Sequence, residues 1–113
     1  MGKYQLGEFE EVVLLTVGVL YGDAYGVSIK KELEARLHRK VSVGALQSAL
    51  KRLEDKNYLN AKDGETTSSR RGRPKRFYSI TALGKRAIEE TRSLRNTLYG
   101  DIPQIALQLK SDD

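Results

Sequence analysis

Five cations, Arg70, Arg71, Arg73, Lys75 and Arg76, fall within seven residues, with no acid among them. Side chains of this kind at this density bind a polyanion or stand in solvent as a charged loop, and the neighbouring elements decide between the two. A second set has a different character. Ser42, Gly44, Gln47 and Ser48 are small or hydrogen-bonding residues, and Lys51 and Arg52 lie one turn further on. Small residues let a helix approach the edges of bases, a glutamine offers the paired hydrogen bonds that adenine accepts, and the two cations are placed for phosphates. Plainer roles stand beside these, with Ser42 as a helix N-cap and Lys51 and Arg52 as a solvated face.

Catalytic chemistry has little to draw on. There is no cysteine, and the single histidine, His38, lies in the basic stretch His38-Arg39-Lys40. A disulfide, a thiolate nucleophile and a cysteine or polyhistidine metal site within one chain are therefore excluded. No carboxylate pair is flanked by a pocket-forming pattern. Neither enzymatic activity nor a cofactor or metal is expected.

The elements that must position the two cationic sets can be read from periodicity. From Phe9, apolar residues recur at Val12, Val13, Thr16, Val17 and Leu20, with Leu14, Leu15 and Val19 on the other face. Such a helix is buried on more than one side, and in a small protein the second side points to another subunit. Tyr21-Gly22-Asp23 ends it, and Asp23 or Ser28 starts the next helix, which reads through Ile29, Leu33 and Leu37. Val41 is read as a brief strand. Ser42 opens a third helix with an apolar stripe of Val43, Leu46, Leu50 and Leu53, which Asn57 ends because asparagine tolerates the left-handed conformation. The period then changes to two. Leu59 to Asp63 and Arg76 to Ile80 read as the strands of a hairpin whose tip, Glu65 to Lys75, is polar and basic. Thr81 caps a fourth helix through Leu83, Ala87, Ile88, Thr91, Leu94, Arg95 and Leu98, with Gly100 and Pro103 as its breakers.

The order helix, helix, basic helix, hairpin, helix predicts a mainly α fold with a small β-hairpin (α+β), a winged helix-turn-helix with a C-terminal extension. Residues 1–81 form the DNA-binding domain in this reading, and 82–113 a C-terminal helix and tail. Helix three then enters the major groove of double-stranded DNA, and the hairpin tip lies along the backbone or minor groove. Within that tip, Arg71-Gly72-Arg73-Pro74-Lys75 resembles an AT-hook, which lays an extended arginine pair into the minor groove of A·T-rich DNA. Tyr25, opening helix two, either gives its hydroxyl to a phosphate or packs as an aromatic with an exposed tip. The alternative function is a winged helix that docks on an acidic protein or RNA surface.

Charge and length agree with the DNA reading. The net charge of +5 is divided unevenly, with −3 over residues 1–35, +10 over 36–86 and −2 over 87–113. A basic middle between acidic flanks suits a polyanion-facing centre. With 113 residues, 39% of them hydrophobic, the chain makes one domain. A domain of this size buries only about 60–70% of its unfolded surface, so a homodimer is a natural supplement. The longest apolar run, Val12 to Leu20, is interrupted by Thr16 and Gly18 and preceded by acids, unlike a signal peptide. It is also shorter than the roughly 20 residues that span a bilayer, and a cytoplasmic protein is expected.

Four stretches together make the chain similar to the PadR family of bacterial transcriptional regulators, in its short form with one C-terminal helix. They are Leu6-Gly7-Glu8-Phe9-Glu10-Glu11, Tyr25-Gly26, Ser42 to Leu46 leading into Leu50 to Lys56, and Gly72 to Gly84. The chain departs from the family in carrying Gln47 where tyrosine is usual and Asn57 where glycine is usual. The resemblance implies a homodimer built from helix one and the C-terminal helix, which makes residues 82–113 the C-terminal dimerisation helix and tail, and a dimer that represses transcription from a palindromic operator. Phe9, Val13, Leu14, Leu94 and Leu98 are the interface residues expected on this basis. Some members enclose a small apolar or aromatic effector, for which Tyr4, Phe9, Leu98 and Tyr99 are the candidates here. Dimer packing is the plainer role of the same four residues.

Overall fold

The computed structural model describes residues 4–64 and 75–108. Arg70, Arg71 and Arg73, and the tail from 109 onward, lie outside the described residues.

Helix α1 spans Glu8–Val19 and carries Glu8, Glu10 and Glu11 in its first turn, where free backbone N–H groups favour negative charge. After it, Gly22 takes φ 86°, a left-handed turn that glycine makes at least cost. Helix α2 spans Gly26–Leu37. Ser28, rather than the Asp23 side chain, organises its start: the Tyr25 N–H donates to Ser28 Oγ at 3.0 Å, and Ser28 Oγ donates to the Asp23 carbonyl at 2.6 Å. His38 at φ 56° closes the helix in the left-handed conformation.

Helix α3 spans Val43–Asp55, and Ser42 Oγ caps it by accepting from the Ala45 N–H at 3.0 Å. Leu46, Ala49, Leu50 and Leu53 are its buried stripe. At the other end Asn57 has φ 66°, the Tyr58 N–H donates to the Leu53 carbonyl and the Asn57 N–H to the Glu54 carbonyl. This paired closure satisfies carbonyls that the helix would otherwise leave open, as the choice of asparagine led us to expect.

Strands β1, Leu59–Asp63, and β2, Arg76–Ile80, pair antiparallel in the register Leu59 with Ile80 and Asp63 with Arg76. Helix α4, Ala82–Asp101, starts at Thr81, whose Oγ1 accepts from the Gly84 N–H and donates to the Asn57 carbonyl at 2.7 Å. A short 3-10 turn, Gln104–Leu107, follows. The result is a two-stranded hairpin on a helical body, an α+β winged helix. One core cluster draws on every helix and both strands, from Val13, Leu14 and Val17 through Ile29, Leu33, Leu46, Leu50 and Leu53 to Tyr78 and Ala87.

Several sequence expectations are corrected. Val41 is buried but makes no strand; its N–H is taken by Glu34 Oε2 at 2.8 Å. Val43 is 61% exposed and lies outside the buried stripe of α3, which begins at Leu46. Gly100 does not break α4, which continues to Asp101. Most consequential, Val13 and Leu14 are wholly enclosed by this chain's own core and are not surface that a second subunit could use. The face of α1 that stays open carries Leu15 and Val19 instead.

Beyond Thr91 the residues of α4 are exposed, Leu94 and Leu98 each 59%, although Arg95 Nη2 still donates to Glu11 Oε1 of α1 at 3.1 Å. The molecule is elongated, 62 × 35 × 21 Å, with a radius of gyration of 17.4 Å. A chain of about 100 residues folded into one compact ball has about 13 Å.

Candidate nucleic-acid interface

The front of α3 is presented to solvent. Ser42, Gly44, Gln47, Ser48 and Lys51 are all exposed, and the space in front of Gly44 is open. Ser42 spends its hydroxyl oxygen on the helix cap, and its exposure leaves the cap and a nucleic-acid contact compatible. Lys51 is held only by a 3.7 Å approach to Asp55 on the same solvent-facing side, a pairing too weak to keep it from a phosphate.

Arg52 is differently placed. Its Nε donates to Glu10 Oε2 at 2.7 Å, and Lys56 Nζ donates to Glu10 Oε1 at 2.6 Å. Glu10 is nearly buried, and burial opposes its ionisation, but the bonds from Lys56 and Arg52 prevail and hold its carboxyl below the ordinary carboxylate range. Lys56 also bonds the Gln5 carbonyl at 2.9 Å. Arg52, expected to offer a phosphate contact, commits its Nε to a strut between α1 and α3, because the acid that needs a partner sits beneath it, while its side chain stays 53% exposed.

The root of the wing is joined to α2. Tyr25 and Phe77 form an isolated antiparallel bridge, and the Tyr78 N–H donates to the Ala24 carbonyl at 2.8 Å. The Tyr25 ring meets Phe77 edge-on at 5.5 Å, and Lys75 Nζ lies 4.3 Å over the same ring. Tyr25 is thus a half-buried aromatic that also stands on the exposed side, next to a wing cation. On its other side Gly26 lies so near Gln47 that a Cβ there would stand 3.5 Å from Gln47 Nε2. The start of α2, the front of α3 and the base of the wing therefore converge around Tyr25, Gln47 and Lys75.

Arg76 was grouped with the wing cations, but its Nη2 donates to Glu54 Oε2 at 2.8 Å and its Nη1 lies 3.7 Å from Asp63 Oδ1. It is a paired side chain at the wing's root, although about half of it remains exposed. Arg70, Arg71 and Arg73, with most of the hook-like segment, fall outside the described residues. Glu10, Glu54 and Phe77 were missed. A signal existed for Glu10: it lies three and four residues before Val13 and Leu14, on the core face of α1, where an acid requires a cation.

The effector candidates are not gathered in one place. Tyr4 and Leu98 line a groove of about 330 Å³ with Leu6 and Leu94, whereas Phe9 lines a separate depression with Val12 and Leu37. Tyr99, 68% exposed, lines neither. Among the described residues no cluster of metal-ligating side chains exists, and no helix is long and apolar enough to cross a membrane.

No curated protein matches the chain significantly. Solved structures do. A PadR-like transcription factor from Bacteroides fragilis superposes with a TM-score of 0.70 at 23% identity, covering 86% of this chain and 88% of that one. A PadR family transcriptional regulator from Eggerthella lenta gives 0.67 at 22% identity, over 90% and 88%. The circadian clock associated protein Pex from Anabaena gives 0.54 at 28% identity, over 80% of each chain. The sequence model of the transcriptional regulator PadR-like family matches residues 14–90, well over half of the chain. With that match and a winged-helix fold shared with PadR-like regulators, the chain belongs to the PadR-like family of DNA-binding transcriptional regulators.

Proposed function

We propose that the protein binds a palindromic operator as a homodimer and represses transcription from it. The observation that carries this reading is the convergence of α2's start, α3's exposed front and the wing's root around Tyr25, Gln47 and Lys75. Gln47 and Ser48 then read base edges, with Gly44 allowing close approach, while Tyr25, Ser42, Lys51 and Lys75 meet the backbone. Arg70, Arg71 and Arg73 reach the adjacent minor groove. Residues 1–81 serve DNA binding and 82–113 dimerisation, with α4's first turns anchored in the core through Ala87. Dimerisation joins the projecting half of α4, through Leu94 and Leu98, to the open face of α1. Phe9 borders that face. A small apolar or aromatic effector enters the groove beside Tyr4 and Leu98 and shifts the dimer's geometry. As a regulator acting on DNA, the protein works in the cytoplasm.

Titration of duplex DNA at several salt concentrations tests this. A dimer that neutralises on the order of eight phosphates gives a log–log slope of about −7. A flat response would contradict it.

A further inference from the structure

We propose that Glu54 and Arg76 are a positioning pair that sets the direction of the wing against α3, and that neither touches DNA. This rests on the DNA-binding reading above. Strand β2 is locked on two sides. Phe77 meets Tyr25 of the α2 start edge-on, and Lys75 lies over the same ring. Arg76, between them in sequence, reaches the opposite way to Glu54 near the end of α3.

The charges of this cluster argue for geometry over attraction. Glu54 and Asp63, two acids, surround the one cation Arg76, so the group adds no positive potential to the face that a polyanion would approach. An uncompensated acid on a DNA-facing helix weakens binding by repulsion. Glu54 is retained there at 2.8 Å from a guanidinium, which neutralises it and ties the helix to the strand. Asp63 is the register partner of Arg76 on β1, and its carboxylate, 3.7 Å from Arg76 Nη1, adds negative charge beside the guanidinium rather than a strong tie. Arg73 precedes Arg76 by only three positions in the chain, so the direction in which β2 leaves α3 governs where the wing's arginines can reach.

The test uses the full-length protein and a duplex of about 30 base pairs that it recovers from a randomised pool, long enough for two half-sites one helical turn apart. Glu54→Gln removes a negative charge from a DNA-binding protein, and electrostatics alone would tighten binding. The positioning role demands the opposite: about tenfold weaker affinity, with the salt slope unchanged. Arg76→Gln weakens binding to the same extent and again leaves the slope alone, whereas loss of a phosphate contact in each protomer would reduce the slope by about 2. The charge-swapped pair Glu54→Arg with Arg76→Glu restores most of the affinity lost by either single variant. Should a single variant unfold early, the swapped pair decides. Equal or tighter binding by Glu54→Gln, a slope reduced by about 2 in Arg76→Gln, or a swapped pair no better than the singles each overturns the proposal. If the wild-type protein recovers no duplex, the DNA reading itself falls first.

Discussion

Glu10 shows how one buried carboxylate reorganises the roles of its neighbours. It is 6% exposed and is satisfied by Arg52, Lys56 and the Gly7 N–H, so it joins α1 to the end of α3. Glu10→Gln leaves two cations without their counter-charge and is expected to cost about 1–3 kcal/mol at neutral pH. Its folded carboxyl titrates below the ordinary value of 4.5, so its stabilisation is fully present above that value and is lost as the pH falls through the folded pKa. Urea denaturation of both proteins across this range should show the gap narrowing in acid; a gap independent of pH would contradict the assignment. Neighbouring cations divide in the same way. Lys51→Ala should reduce the salt slope of DNA binding by about 2 per dimer with stability unchanged, while Arg52→Ala should lower stability and leave the slope intact. Equal slopes for Lys51→Ala and wild type would remove Lys51 from the interface.

At the scale of elements, caps and turns were largely legible. Ser42 and Thr81 cap the helices they were expected to cap, Asn57 turns the chain after α3, and the two strands have the expected limits. Val43 and Gly100 were misread because periodicity gives the face of a residue but not whether anything lies opposite it. Two glycines of α4 expose the same point and make a paired prediction. A Cβ at Gly84 would stand 2.3 Å from the Tyr58 carbonyl oxygen, where α4 presses on the turn after α3. Nothing lies within 4 Å of a Cβ at Gly100. Gly84→Ala should therefore destabilise by about 2 kcal/mol or more. Gly100→Ala, in an open helical position, should stabilise by about 0.5–1 kcal/mol. Thermal melts that move the same way in both would refute the close contact at Gly84.

For the whole molecule, the separation between core and interface was redrawn. An α1 apolar nearly all round was read as buried on two sides; the chain's own core takes Val13 and Leu14, and Leu15 and Val19 stay open. Leu14→Ala is therefore a core truncation, expected to cost about 2–5 kcal/mol in any assembly state. Leu98→Asp acts elsewhere. It should yield a monomer in sedimentation while the melting temperature of the winged helix stays within a few degrees of wild type, and operator affinity should fall about 100-fold as bivalent binding is lost. A Leu98→Asp protein that remains dimeric would refute the α4 interface.

What the sequence determined by itself was the order of elements, their ends and the basic character of the middle third, since capping, periodicity and turn formation act within a few positions of the chain. The tertiary structure decided which charges are paired with one another. Arg52 and Glu10 are 42 positions apart, and Arg76 and Glu54 are 22 apart. No local pattern links such pairs. Folding brings each cation within hydrogen-bond reach of an acid that the fold partly or almost wholly shields from water, and the need to neutralise that acid draws Arg52 and Arg76, each still about half exposed, into ion pairs.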